Sequence, residues 1–146
     1  MPTRRVQRLC AGYVSIDRIR EESSWEEWEG RYVSERSFLR ANEVAVRQTP
    51  VLLQRGRPVV LDRNLYWSSV IEGLVGRLSF SGQVFILRAP LELCVERDRQ
   101  RTPARGREAT ERVYRKCAEP DSGVRIDAGR PVDEVVSEIV AGPRPT

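Results

Sequence analysis

Histidine is absent from the 146 residues, and lysine occurs once, at Lys116. Without an imidazole the chain cannot build a Ser-His-Asp or Cys-His nucleophile, a histidine-bearing zinc site or an imidazole acid/base pair. Proton transfer falls to carboxylates and anion handling to arginine. The three cysteines, Cys10, Cys94 and Cys117, are odd in number and form no C-x-x-C pair, which argues against a disulfide framework or a cysteine-rich metal centre. No apolar run approaches the ~18 residues of a membrane span. The opening MPTRRVQRLCAG has no hydrophobic stretch of the signal-peptide kind. The expectation is a reduced, cytoplasmic protein with no membrane partner.

A chain of 146 residues suits one domain, expected over 1–140, with a short flexible Pro/Gly-rich tail over 141–146. Roughly 68–70% of the unfolded surface can be buried at that size, enough for an ordinary core. The net charge is +4, and 24 of the 25 cationic side chains are arginine. Arginine presents a planar fork of donors that matches phosphate and carboxylate oxygens. GC-rich coding produces the same excess with no function, so position has to discriminate.

Short apolar runs alternate with longer amphipathic ones. Gly12–Ile16, Pro58–Leu61, Val84–Leu87 and Val124–Ile126 read as brief strands. Helical stretches are expected over Asp17–Trp28, Ser34–Gln54, Trp67–Phe80, Leu91–Arg101, Glu108–Cys117 and Val132–Val140. This alternation predicts an α/β fold, a parallel sheet flanked by helices. Gly56 marks a helix end, and Thr49–Pro50 should kink or split the longest helix. Trp25, Trp28 and Trp67 read as packing residues, and Cys94 as a core residue of its helix.

Ligands of open α/β sheets sit beyond the carboxyl ends of the strands. Asp17, Asp62 and Arg88 stand at three of those ends, with Arg20 one helical turn after Asp17. Asp17 is equally a natural helix cap. A second concentration is Arg97–Arg115, where seven arginines face three acidic residues. Arg97 and Arg101 are spaced to share a helix face, leading into a Pro/Gly-containing loop that can move. Anion binding and a solvated helix end whose dipole favours cations are the two readings of that segment.

Taken together, these stretches resemble the P-loop kinases, in particular the AAA-type branch containing polynucleotide kinases, adenylylsulfate kinases and zeta-toxin-like kinases. GYVSIDRIREE is similar to the second strand and helix of that branch, whose Asp-x-x-Arg pair Asp17 and Arg20 match. VVLDRNLY is similar to its Walker-B-like strand, with Asp62 and Asn64 in the Asp-x-Asn positions, and VFILRAPLELCVERDRQR to its fourth strand and the helix leading to the lid. The resemblance implies phosphoryl transfer from ATP, with Mg2+, to a hydroxyl acceptor: a nucleoside, a polynucleotide end or a small molecule. On that basis Asp17 would orient and deprotonate the acceptor, Arg20 would hold its phosphate, and Arg101 would neutralise the transferring group. Asp62 would hold Mg2+, while Arg97, Asn64 and Arg105 would contact the nucleotide, Arg105 from a lid over residues 102–107. The alternative is a non-catalytic, arginine-rich module that binds RNA or another polyanion, and a third reading is a structural remnant without a ligand.

One part of the family pattern is missing. The sequence contains no G-x-x-x-x-G-K-[ST], the loop whose backbone N–H groups and lysine cradle phosphates. The family's first strand, central in the order 2-3-1-4-5, is missing with it, and Arg4–Ala11 resembles the helix that follows. A P-loop-like fold without its central first strand is therefore expected, with weak ATP binding and no phosphate transfer by these residues as they stand.

Overall fold

The computed structural model describes residues 10–64, 66–79, 81–117 and 123–142. Contacts group the chain into two units, 1–82 and 83–146.

In the first unit β1 (Gly12–Ser15) runs parallel to β4 (Val59–Asp62), in register from Gly12 opposite Val59 to Ser15 opposite Asp62. The helix α1 (Ile16–Glu21) follows at once, capped by the Ser15 hydroxyl, which accepts from the Arg18 N–H at 3.3 Å. It is far shorter than the expected Asp17–Trp28. Ser23 stops it by donating its hydroxyl to the Arg20 carbonyl at 2.7 Å, an alternative to another helical turn. Beyond it lies a hairpin that periodicity missed, β2 (Trp28–Glu29) against β3 (Tyr32–Val33), turned at Gly30 with φ +64°.

The long helix α2 (Glu35–Leu53) is not split at Pro50. Proline removes one ladder bond, but it falls close to the helix end, so only a short stretch lies beyond it, and Gly56 follows the end with φ +70°. Its buried stripe, Ser37, Phe38, Ala41, Asn42, Ala45 and Thr49, has helical spacing. Small residues in that stripe bring it close to the strands: a Cβ on Gly12 would stand 3.4 Å from the Leu52 Cβ. Val14, Ile16, Ala41, Ala45 and Leu74 form the core. Leu74 comes from α3 (Ser68–Arg77), which packs on α2.

In the second unit β5 (Phe85–Arg88) runs parallel to β6 (Val124–Asp127). Its helices are α4 (Leu91–Arg99), α5 (Arg107–Lys116) and α6 (Val132–Ala141). Pro90 and Pro131 stand at the N-caps of α4 and α6, where a missing N–H is harmless. Ile126, Val135 and Ile139 make the core, with Phe85 and Val124 packed on it.

Two expectations are corrected here. Helix α4 ends at Arg99, so Arg101 lies past the cap and does not share a helical face with Arg97. The last helix takes in Ala141, and residues 143–146 of the expected tail lie outside the described residues, as does most of Arg4–Ala11. Among the described residues the parallel strands form two separate pairs instead of one sheet. Between β4 and β5 the described chain goes to α3 and loops, which leaves no strand to extend either pair.

Candidate functional site

The carboxyl ends of β1 and β4 bring Asp17 and Asp62 to the same edge of one parallel pair. The cap reading of Asp17 fails, because Ser15 does the capping. Asp17 instead reaches across to the loop after β4, where its Oδ2 accepts from the Asn64 backbone N–H at 3.1 Å. Its Oδ1 is buried, has no hydrogen-bond partner, and lies 3.9 Å from Arg20 Nη2. Burial raises the Asp17 carboxyl above its ordinary range; Arg20, the Asn64 N–H and Arg63 pull it back, and Asp62 adds to the rise. A carboxylate in that condition is a better base than a free one.

Arg20 is 8% exposed. Its Nη1 donates to Glu26 and its Nη2 to Glu21 at 3.4 Å, while Nε, also buried, has no partner. Arg63, which sequence reasoning does not single out, stands between Asp62 and Asn64. It donates from Nη1 to Asn42 Oδ1 at 3.1 Å and to the Val70 carbonyl at 3.3 Å, and from Nε to the Asn64 carbonyl at 3.1 Å. Asn42 completes this network by donating to the same Val70 carbonyl at 2.7 Å. Arg63 Nη2 is buried without a partner, and burial lowers its guanidinium to about 10. No ordinary surface arginine behaves this way.

Both guanidiniums lie over Phe38, at 5.4 Å for Arg20 and 5.6 Å for Arg63 from the ring centroid. Phe38 in turn meets Tyr66 and Trp67 edge-on, with centroids 5.5 and 5.8 Å away. The buried polar atoms without partners among the described residues are Asp17 Oδ1, Arg20 Nε and Arg63 Nη2. Each such atom costs about 1–3 kcal/mol when nothing binds it. All three belong to this one cluster.

Asp62 is exposed, and Tyr13 Oη donates to its Oδ2 at 2.8 Å. No group of three or more His, Cys, Asp or Glu side chains is placed for a metal among the described residues. One carboxylate fits a water-rich Mg2+ that shares its shell with nucleotide phosphates, and does not fit an all-protein cage. Asn64 touches Asp17 through its backbone.

The other predicted residues lie in the second unit. Arg97 donates to the Ala128 carbonyl at 2.7 Å. Arg101 has an exposed side chain with no bond or ion pair among the described residues. Asp98, 6% exposed, ties down the loop ahead of α5: its carboxylate accepts from the Arg105 N–H at 3.0 Å and the Gly106 N–H at 2.8 Å. Elsewhere in the segment arginine meets glutamate, Arg99 with Glu96, Arg107 with Glu92 and Glu111, Arg112 with Glu108 and Arg115 with Glu111. Arg88 lies over the Tyr114 ring at 5.1 Å. Of the tryptophans, Trp25 and Trp67 pack as expected, but Trp28 is 60% exposed on the hairpin.

No family model matches the chain, and no curated protein matches it. Among solved structures it is similar to the tunicamycin resistance protein of Deinococcus radiodurans, with a TM-score of 0.65 and 15% identity over 95% of this chain and 88% of that one. At that identity the likeness shows the fold alone: mixed α/β, with small parallel sheets flanked by helices. None of the helices in the described residues is long and apolar enough to cross a membrane.

Proposed function

We propose that the chain is a kinase-like protein whose first unit presents a hydroxyl acceptor for phosphoryl transfer from Mg-ATP. The observation that carries the reading is the buried Asp17 carboxylate, held by the Asn64 N–H on one oxygen and without a hydrogen-bond partner on the other, 3.9 Å from Arg20 Nη2. Asp17 Oδ1 accepts the acceptor's hydroxyl proton and aims its oxygen, and Arg20 holds an anionic group of the same molecule. Asp62 offers its open oxygen to Mg2+, which when bound would neutralise phosphate charge. The assignment of Arg97, Arg101, Arg105 and the Asn64 side chain to the nucleotide rests on the family resemblance. Transfer of this kind is largely positioning and electrostatics, which suits a site without histidine.

Calorimetry with Mg-ATP and a labelled-phosphate assay over hydroxyl acceptors test the reading. Tunicamycin belongs on that panel, because the structural neighbour is a tunicamycin resistance protein. The 146 residues, lacking G-x-x-x-x-G-K-[ST], should bind ATP weakly and transfer nothing. With that loop and its strand placed ahead of residue 4, transfer should appear, and Asp17→Asn should lower it about 10²–10⁴-fold, the range for losing a general base. Transfer that Asp17→Asn leaves intact would remove Asp17 from the chemistry. Robust turnover by the 146 residues alone would show that the missing loop is not needed.

A further inference from the structure

We propose that Arg63 is a second acceptor-binding arginine, and that Arg63, Arg20 and Asp17 together select a small molecule carrying an anionic group beside a hydroxyl. The inference rests on reading this cluster as the acceptor site, and it adds a residue and a substrate class.

The unmet hydrogen-bonding capacity of the cluster is of two kinds. Arg20 Nε and Arg63 Nη2 are donors, and Asp17 Oδ1 is an acceptor. A plain anion would satisfy the donors and repel the carboxylate, whereas a neutral alcohol would satisfy the carboxylate and leave the arginines unpaired. A hydroxylated anion answers both. The two guanidiniums are held against one Phe38 ring, so their free N–H groups are fixed before anything binds. Their charges are not equivalent. Arg20 already faces Glu26, Glu21 and Asp17. Arg63 makes no ion pair among the described residues, its other bonds going to an amide and two carbonyls. An incoming anion supplies what Arg63 lacks.

Binding of glycerol 3-phosphate, inorganic phosphate and glycerol to the 146-residue chain, at fixed ionic strength and without ATP, tests this. Calorimetry reads it directly, and Trp67, which packs on Phe38, offers a fluorescence signal. Glycerol 3-phosphate should bind about tenfold or more tightly than phosphate, and glycerol not measurably, as expected for one added charge-assisted hydrogen bond. Arg63→Gln should weaken glycerol 3-phosphate about tenfold or more, and Asp17→Asn should erase its advantage over phosphate. Arg18→Ala, on an exposed residue of the same helix paired with Glu22, should change neither. Equal binding by wild type and Arg63→Gln, equal losses in Arg63→Gln and Arg18→Ala, or no saturable binding of glycerol 3-phosphate overturns the proposal. Should Arg63→Gln fail to fold, the ranking of the three probes on wild type still decides, since phosphate matching glycerol 3-phosphate refutes the pairing of donors with an acceptor in this cluster. Phosphate transfer requires ATP and these measurements do not, so the failure of either reading is seen separately.

Discussion

Asp17 sits where two demands on one side chain conflict. The fold buries it against α1 and the loop after β4, yet its partners satisfy one oxygen only. Because burial raises its carboxyl above the unfolded value, the folded state holds a proton over a pH window in which the unfolded chain has released it. Stability therefore falls as pH rises through that window, and the loss is complete above the folded value. Asparagine at this position keeps an oxygen for the Asn64 N–H and carries no charge. Asp17→Asn should thus melt above wild type at neutral pH, with the difference shrinking as pH falls below the ordinary carboxylate range. Thermal unfolding at a series of pH values checks this. A wild type that is the more stable at neutral pH would mean that the attractions of Arg20 and the Asn64 N–H outweigh burial.

The elements differ in how they are held, and the loop ahead of α5 is the clearest case. Sequence presents Thr102–Gly106 as a segment free to move, yet Asp98 binds the Arg105 and Gly106 N–H groups from a buried position. Asp98→Ala should cost about 2 kcal/mol, because it strands backbone donors that had a charged acceptor. It should also speed amide hydrogen exchange at Arg105 and Gly106 with little change in β5 or β6. Unchanged exchange would show that the loop is held by something else. The four principal strands and most helices were legible because β-branched runs and amphipathic stretches alternate in the sequence. The hairpin was not, since strands of two residues carry no period, nor was the early stop of α1, which depends on one serine hydroxyl. At the site, Asp17, Arg20 and Asp62 could be read from strand ends. Arg63 could not, because its burial comes from Phe38 and Asn42, more than twenty residues away along α2.

At the scale of the whole molecule, the net charge of +4 would suggest a polyanion partner if the arginines of 97–115 were free. Most are met by neighbouring glutamates or a carbonyl. Exposed pairs are worth only about 0–1 kcal/mol each, but together they cancel much of the local field. Single-stranded RNA should therefore bind weakly, with a log–log salt slope well short of the roughly −5 that seven freed phosphate contacts would give. Filter binding across a salt series measures it, and a slope near that limit would favour the RNA-binding alternative.

The two contact units also differ in their spectra. Trp25, Trp28 and Trp67 all fall within residues 1–82, and residues 83–146 contain no tryptophan. Indole emission thus reports on the first unit alone, while far-ultraviolet dichroism sums the helices of both. A single denaturant titration followed by both signals reveals whether the chain melts in one step or two. No label or added residue is needed to see it.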